Sequence, residues 1–422
     1  MRVFKFGGAS VKDAAAVENV ANILSRYQDE QLVVVVSAMG KMTNAFEALC
    51  EDYRNGESTQ QKIVDILDFH MEIIDGLFPN NGDSIREEIN QVIGLLRSKC
   101  ETAPSDNFDY EYDQIVSLGE VLSTKIIAGY LAEKNYAVEW VDAREIIRTN
   151  NRYREAKIDW EKSEELVIEH LLSIFNGGKQ LAITQGFLGH TAEGFTTTLG
   201  REGSDFTAAI LAYIMEADDV TIWKDVPGML NADPKYFDNT VLLEKISFRE
   251  AIELAYFGAS VIHPRTIQPL KRKGIPLYIR SFVDPDATGS VIQESTEFDN
   301  HIPSFIFKMD QLLISMTPRD FSFIMEENLQ EIFTYLNEER IRMNIMQNSA
   351  VSFSFCVDRT KIDFDAFREH FADRYLIKYN ENMELVTIRH YDDETLERLL
   401  MLKKVYLEQK SRETARLVIK NI

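Results

Sequence analysis

At 422 residues, with 45% hydrophobic and 27% charged residues, the chain has the composition of a folded, water-soluble protein too long for one ordinary core. A formal net charge of -22 excludes non-specific attraction to nucleic acid or anionic membranes, since no K/R-rich run offsets the repulsion. Three cysteines, Cys50, Cys100 and Cys356, are odd in number and in no metal-ligand spacing, so they read as reduced thiols of a cytoplasmic protein.

The chain enters a strand at Arg2 to Phe6 with no basic n-region ahead of it, and no apolar run reaches about 18 residues, which argues against export and membrane spanning. Lys12 to Tyr27 reads as a helix, with Ser10 able to cap it. Leu32 to Val36, L-V-V-V-V, is a buried strand. Helical spacing without a strand between Ser58 and Arg97 predicts a helical insertion, placed at about 56–112. The alternation resumes with a helix over Ser117 to Lys134, a strand at Ala137 to Val141, a helix near Glu164 to Phe175 and a strand at Leu181 to Thr184. A glycine-rich stretch, a helix from Asp205 to Met215 and a strand at Val220 to Trp223 follow. Strands and helices taking turns predict an α/β domain with a mainly parallel sheet.

After about Glu297 the character changes, and a strand-helix-strand-strand-helix-strand order starts near Gln311. Its strands are Leu312 to Met316, Val351 to Cys356 and Glu384 to Ile388; its helices are Met325 to Leu336 and Phe364 to Phe371. A further helix and a closing strand, Leu417 to Ile419, complete a small ferredoxin-like α+β region. The change of pattern sets the expected domains at 1–298 and 305–422.

Four stations carry chemistry. In K-F-G-G-A-S, Lys5 stands ahead of Gly7 and Gly8, the parts of a phosphate cradle: freed backbone N–H groups and a cation. The pair also has a plain reading as a turn. In S-A-M-G-K-M-T-N, Ser37 and Thr43 place hydroxyls at the carboxyl edge of the sheet, where open parallel sheets bind ligands; a Thr-capped turn reads equally well. In S-L-G-E, Glu120 either faces solvent or holds an ammonium group. In T-T-L-G-R-E-G-S-D, Arg201 suits two-point binding of a carboxylate, beside Ser204 and Asp205 at a helix N-terminus, where Asp205 is also a natural cap.

These segments, with W-K-D-V-P-G-M-L-N-A-D-P and E-L-A-Y-F-G-A-S-V-I-H-P-R-T, resemble aspartate kinase of the amino-acid kinase fold family, in order over roughly residues 1–295. The resemblance implies transfer of the γ-phosphoryl of Mg-ATP to the side-chain carboxylate of L-aspartate, the first step of lysine, threonine and methionine biosynthesis. It makes Lys5 and Asp205 catalytic, and Ser37, Thr43, Glu120, Arg201 and Ser204 aspartate-binding. Lys5, Phe6, Gly7, Gly8, Lys224, Asp225, Leu230, Lys235 and Ser260 fall at nucleotide-binding positions, with Mg held mainly by the ATP phosphates and no permanent cofactor. Departures from the family pattern gather on this nucleotide side: Lys224 replaces a threonine, Leu230 a tyrosine, Lys235 an arginine and Ser260 a lysine. Ala9 replaces a threonine and Glu202 a glycine. The tail resembles the family's ACT modules, with a reduced second copy, and implies a homodimer through this region. N-S-A-V-S-F, from Asn348, lacks the glutamate of the family's effector loop, which leaves feedback by lysine or threonine open. Alternatives are a kinase for another acidic amino acid and a catalytically weak, ligand-sensing homologue.

Overall fold

Strands that are apolar throughout need cover on both faces, and the first part of the chain supplies it with helices. The structure, a computed structural model, describes every residue except Asp238, Ser260, Asn300, His301 and Ile422. It divides into two compact units: Met1–Met229, Leu242–Tyr256 and Ser260–Asp299; and Leu230–Val241, Phe257–Ala259 and Asn300–Ile422.

The first unit contains β1 (Arg2–Phe6), β2 (Leu32–Val36), β3 (Val138–Val141), β4 (Leu181–Gln185), β5 (Leu188–His190), β6 (Thr196–Thr198), β7 (Asp219–Lys224), β8 (Lys245–Ser247), β9 (Leu277–Ser281) and β10 (Ser290–Gln293). Eight of these strands form one sheet in the order β3-β4-β2-β1-β7-β9-β10-β8, parallel except between β9 and β10. β5 and β6 form a separate hairpin. The register sets Lys5 beside Val35 and Ile222, and Phe6 beside Val36 and Trp223, so the carboxyl ends of β1, β2, β4 and β7 lie side by side.

The expected insertion is helical, with Gln60–Leu77 and Asp83–Cys100 packed into the core shared with Phe4, Val34 and Leu122. The first helix starts later than expected. Gly8–Val11 forms a 3-10 turn at the end of β1, and Asp13, not Ser10, caps the helix Ala14–Leu24 by accepting from the Ala16 N–H at 2.8 Å. The Ser10 hydroxyl is buried and donates instead to the Trp223 carbonyl at 3.4 Å. One helical run, Phe108–Glu133, is apolar enough to cross a membrane, but its apolar window is 83% buried inside the protein, which marks a core helix.

The insertion also buries His70, with Nδ1 2.7 Å from the Ile66 carbonyl and Nε2 unpartnered among the described residues. Burial pushes its imidazole down to about 4, against an ordinary 6.5. The neutral ring's contribution is therefore complete above the unfolded value and is lost as pH falls through 6.5 towards 4. His70→Leu is expected to move the acid-unfolding midpoint, followed by circular dichroism, to lower pH; an unchanged midpoint would assign acid sensitivity elsewhere.

The second unit is an antiparallel sheet of β11 (Ser304–Pro318), β12 (Met343–Asn348), β13 (Phe353–Asp358), β14 (Tyr375–Arg389), β15 (Lys403–Lys410) and β16 (Thr414–Asn421), ordered β12-β13-β11-β14-β16-β15. β11 and β14 are 15 residues each and run the width of the sheet, with register shifts around Gln311 and positive φ at Asp310 and Asn382. The irregularity divides each strand in two. The later half of β11 joins Glu326–Glu338, β12, β13, Phe364–Phe371 and the earlier half of β14 in a βαββαβ module. The later half of β14 continues through Asp393–Leu400, β15 and β16, and the earlier half of β11 closes that second set as its fourth strand. This is an ACT-like arrangement. The two edge strands absent from the expectation, β12 and β15, each bury a single residue, Ile345 and Leu407.

Candidate functional site

At the carboxyl ends of the central strands, two close approaches shape the backbone. A Cβ on Gly8 would lie 2.7 Å from the Gly40 carbonyl oxygen, so the turn after β1 interlocks with the turn after β2, where the Gly40 N–H donates to the Gly8 carbonyl at 3.0 Å. A Cβ on Gly186 would lie 2.3 Å from that of Ser204, which brings the N-terminus of the helix Gly203–Met215 against the end of β4.

The helix thereby delivers Asp205 to the end of β1. Lys5 Nζ is 2.7 Å from Asp205 Oδ1, and Lys224 Nζ is 3.4 Å from Oδ2 while also donating to the Val261 carbonyl. Burial alone would raise the Asp205 carboxyl, but the charges of Lys5 and Lys224 hold it below its ordinary range. Asp205 is thus a permanent anion between two cations.

Across the turn after β2, Glu120 lies in the helix Leu118–Glu133 with 3% of its surface exposed. Its Oε1 accepts from the Ala38 N–H at 3.4 Å, and its Oε2 is buried without a partner among the described residues. Burial pushes this carboxyl up to about 8, opposed in part by hydrogen bonds from the backbone of Glu120 and Ala38 and, least, by the Lys5 charge. A buried carboxylate oxygen left unpartnered has the chemistry to accept from a cationic group. Ser37 is fixed nearby through its carbonyl, which accepts from the Ser123 hydroxyl at 2.8 Å. Thr43 is half-buried in the first turn of Met42–Asn55, and Ser204 is buried. Arg201 is exposed and makes no hydrogen bond or ion pair among the described residues. Glu202 next to it has φ +55°, the left-handed conformation a glycine adopts at no steric cost and another residue holds at about 1 kcal/mol.

Lys5, Ser37, Glu120, Ser204, Asp205 and Lys224 therefore gather at one sheet edge. The other expected nucleotide residues are distributed differently. The Phe6 side chain belongs to the core, stacked on Trp223 with centroids 6.1 Å apart, so only its backbone faces the turn. Asp225 is exposed, and Leu230 and Lys235 belong to the second compact unit, where the Lys235 N–H donates to Asp233 at 2.9 Å. Ser260 lies outside the described residues. Two features have no signal in a linear reading: the pairing of Lys224 with Asp205, and Gln185, whose buried amide accepts from the Ala143 N–H at 2.7 Å and donates to the Thr124 hydroxyl at 2.8 Å. The apolar run ahead of Lys224 marks it as a strand-end residue but says nothing of its partner.

Comparison with known proteins agrees with this geometry. The Amino acid kinase family model matches residues 1–281. Lysine-sensitive aspartokinase 3 of Escherichia coli is 35% identical over 360 residues, covering 85% of this chain and 78% of that protein. The crystal structure of E. coli aspartokinase III in complex with lysine and aspartate superposes with a TM-score of 0.85 at 30% identity, covering 99% of this chain and 95% of that one. The same enzyme in complex with aspartate and ADP gives 0.81 at 29% identity, covering 99% and 96%. On its sequence, its fold and the carboxylate and lysines at its sheet edge, the chain belongs to the amino acid kinase family and, within it, to the aspartokinases.

Proposed function

We propose that the chain transfers the γ-phosphoryl of Mg-ATP to the side-chain carboxylate of L-aspartate, giving 4-phospho-L-aspartate and ADP, at the edge formed by Lys5, Glu120, Asp205 and Lys224. The observation that carries this reading is the pairing of two lysines on one buried carboxylate, close to a second carboxylate, Glu120, whose Oε2 has no partner among the described residues. The acceptor is already an anion, so no general base is required, and catalysis consists of alignment and charge neutralisation. Lys5 and Lys224 supply the positive charge for the transferring group. Asp205 holds both ammonium groups in place. The backbone of Gly7 and Gly8 lines the phosphates, Glu120 takes the α-ammonium of aspartate, and Arg201 takes a carboxylate with Ser37, Thr43 and Ser204 as hydroxyl donors.

Mg²⁺ arrives with the triphosphate as part of the co-substrate. Among the described residues, no group of three or more His, Cys, Asp or Glu is arranged to hold a resident ion. Asp225, Leu230, Lys235 and Ser260 are assigned to the nucleotide by family position. ADP release with L-aspartate against L-glutamate, with the acyl phosphate trapped by hydroxylamine, tests the activity. Aspartate-dependent hydroxamate is expected; aspartate binding without turnover would favour a ligand sensor.

We also assign the second unit to regulation and self-association. Phe321, Phe323 and Met325, 76%, 66% and 52% exposed, follow one another on the segment after β11, an apolar run that a second copy of the chain would cover. Light scattering is expected to give a dimer, and Phe321→Ser with Phe323→Ser a monomer; a dimer unaffected by both changes would place the interface elsewhere. Lysine is the proposed effector, following the lysine complex of the E. coli enzyme, and lysine inhibition with threonine silent is the expected assay result. The cytoplasm is the proposed compartment: Cys50 and Cys356 are free and buried, with burial pushing both thiols up to about 12.

A further inference from the structure

The hairpin strand β6 leads directly into the loop bearing Arg201, and its outer side has no neighbouring strand among the described residues. Two consecutive side chains of the helix Phe108–Val116 take that place. The Gln114 amide donates to the Thr196 carbonyl at 2.8 Å and accepts from the Thr196 N–H at 3.3 Å. Asp113, fully buried, accepts from the Thr198 N–H at 2.9 Å, the Thr198 hydroxyl at 2.7 Å and the Arg154 N–H at 3.0 Å. Just beyond, the Thr198 carbonyl accepts from the Ala156 N–H at 3.0 Å and the Leu199 carbonyl from Arg265 Nη1 at 2.9 Å. The strand is therefore held on its outer side up to two residues before Arg201.

The same helical rod carries Glu120. Ser117, between the two helical segments, keeps right-handed helical angles (φ -56°, ψ -26°), so the rod continues from Asp113 to Glu120. Seven residues make close to two turns and about 10 Å, which puts Asp113 and Glu120 on one face of the rod. One rigid element thus holds the candidate ammonium partner directly and the guanidinium-bearing loop through Asp113.

We propose that Asp113 is a positioning residue that sets the span between Glu120 and Arg201, and through that span the preference for aspartate over glutamate, its homologue longer by one methylene. The inference rests on the assignment of Glu120 and Arg201 to aspartate. One methylene is worth about 10- to 200-fold in discrimination when the span is fixed. A loosened loop forfeits part of it.

The test measures kcat and KM for aspartate, glutamate and ATP, with thermal melting alongside, in the wild type, Asp113→Ala, Asp113→Asn, Thr198→Val and Arg201→Ala. Asp113→Ala is expected to raise the aspartate KM about 10-fold or more, to leave the ATP KM within about twofold, and to narrow the aspartate-to-glutamate ratio of kcat/KM. Asp113→Asn, which keeps the hydrogen bonds by turning the Thr198 hydroxyl into an acceptor, should restore most of both. Thr198→Val removes one bond and should shift the same quantities less; it carries the test if Asp113→Ala does not fold. A lower melting temperature with unchanged aspartate KM and unchanged ratio would make Asp113 merely structural and overturn the inference. An aspartate KM unmoved by Arg201→Ala would instead overturn the site assignment on which it rests.

Discussion

Replacing Lys5 by alanine is expected to lower kcat by about 10³-fold while the KM for aspartate moves little, because the lost cation acts on charge that develops during transfer. The geometry also predicts a side effect. Lys5 Nζ sits 2.7 Å from Asp205 Oδ1, and both side chains are more than nine-tenths buried. Removing the lysine leaves the buried carboxylate with Lys224 alone at 3.4 Å. Breaking a buried pair from one side costs about 3–5 kcal/mol, so the variant should melt at a lower temperature. The double variant Lys5→Met with Asp205→Asn separates the two effects, since it removes the charge from both partners. It is expected to recover melting temperature and not activity. Hydroxamate formation by Lys5→Ala near the wild-type rate would end the phosphate-neutralising role.

Glu120→Gln is expected to raise the KM for aspartate about 10²-fold with the KM for ATP nearly unchanged, the scale of a charge-assisted bond replaced by a neutral one in a buried site. Its pH behaviour is the more specific signature. Burial pushes the Glu120 carboxyl up to about 8, so the free enzyme carries a proton there at neutral pH. Pairing with the α-ammonium of aspartate needs the carboxylate, and binding should therefore release up to one proton at pH 7, fading above pH 8. Calorimetry in buffers of different ionisation enthalpy measures this directly; no release from the wild type, or equal release from Glu120→Gln, would remove Glu120 from the ammonium site.

Stability without ligand follows the same linkage. A carboxyl raised in the folded state from 4.5 to about 8 contributes stability that is complete below 4.5 and is lost as pH rises through 8. Glu120→Gln should consequently melt higher than the wild type at pH 8 and above, gaining stability where it loses substrate. Such an exchange is characteristic of a residue kept for its ligand.

Much of this site was legible in the sequence for local reasons. L-V-V-V-V can only be a strand covered on both faces, and glycines in K-F-G-G and G-R-E-G-S-D mark backbone drawn close to something else. The long helices of the insertion and of the second unit were legible because an amphipathic stripe repeats over several turns. Edge strands were not. β12 and β15 each bury one side chain, so they carry too little apolar alternation to stand out from loop. The helix cap failed for a similar reason, since both Ser10 and Asp13 are good caps and only the 3-10 turn at Gly8–Val11 decides between them.

The sequence by itself determined the parts: parallel strands, a glycine turn after β1, an arginine and an aspartate at a helix start, a glutamate inside an apolar helix. The tertiary structure alone decided which of them meet. Lys5 and Asp205 are 200 positions apart, and they touch because β1 lies between β2 and β7 while Gly186 admits Ser204 against the end of β4. Lys224 joins them through its place at the end of β7, next to β1. The Asp113 clamp on β6 has no local pattern because a side chain there replaces a backbone neighbour. Composition and periodicity report what each segment buries; strand order and helix docking determine which charges share that burial.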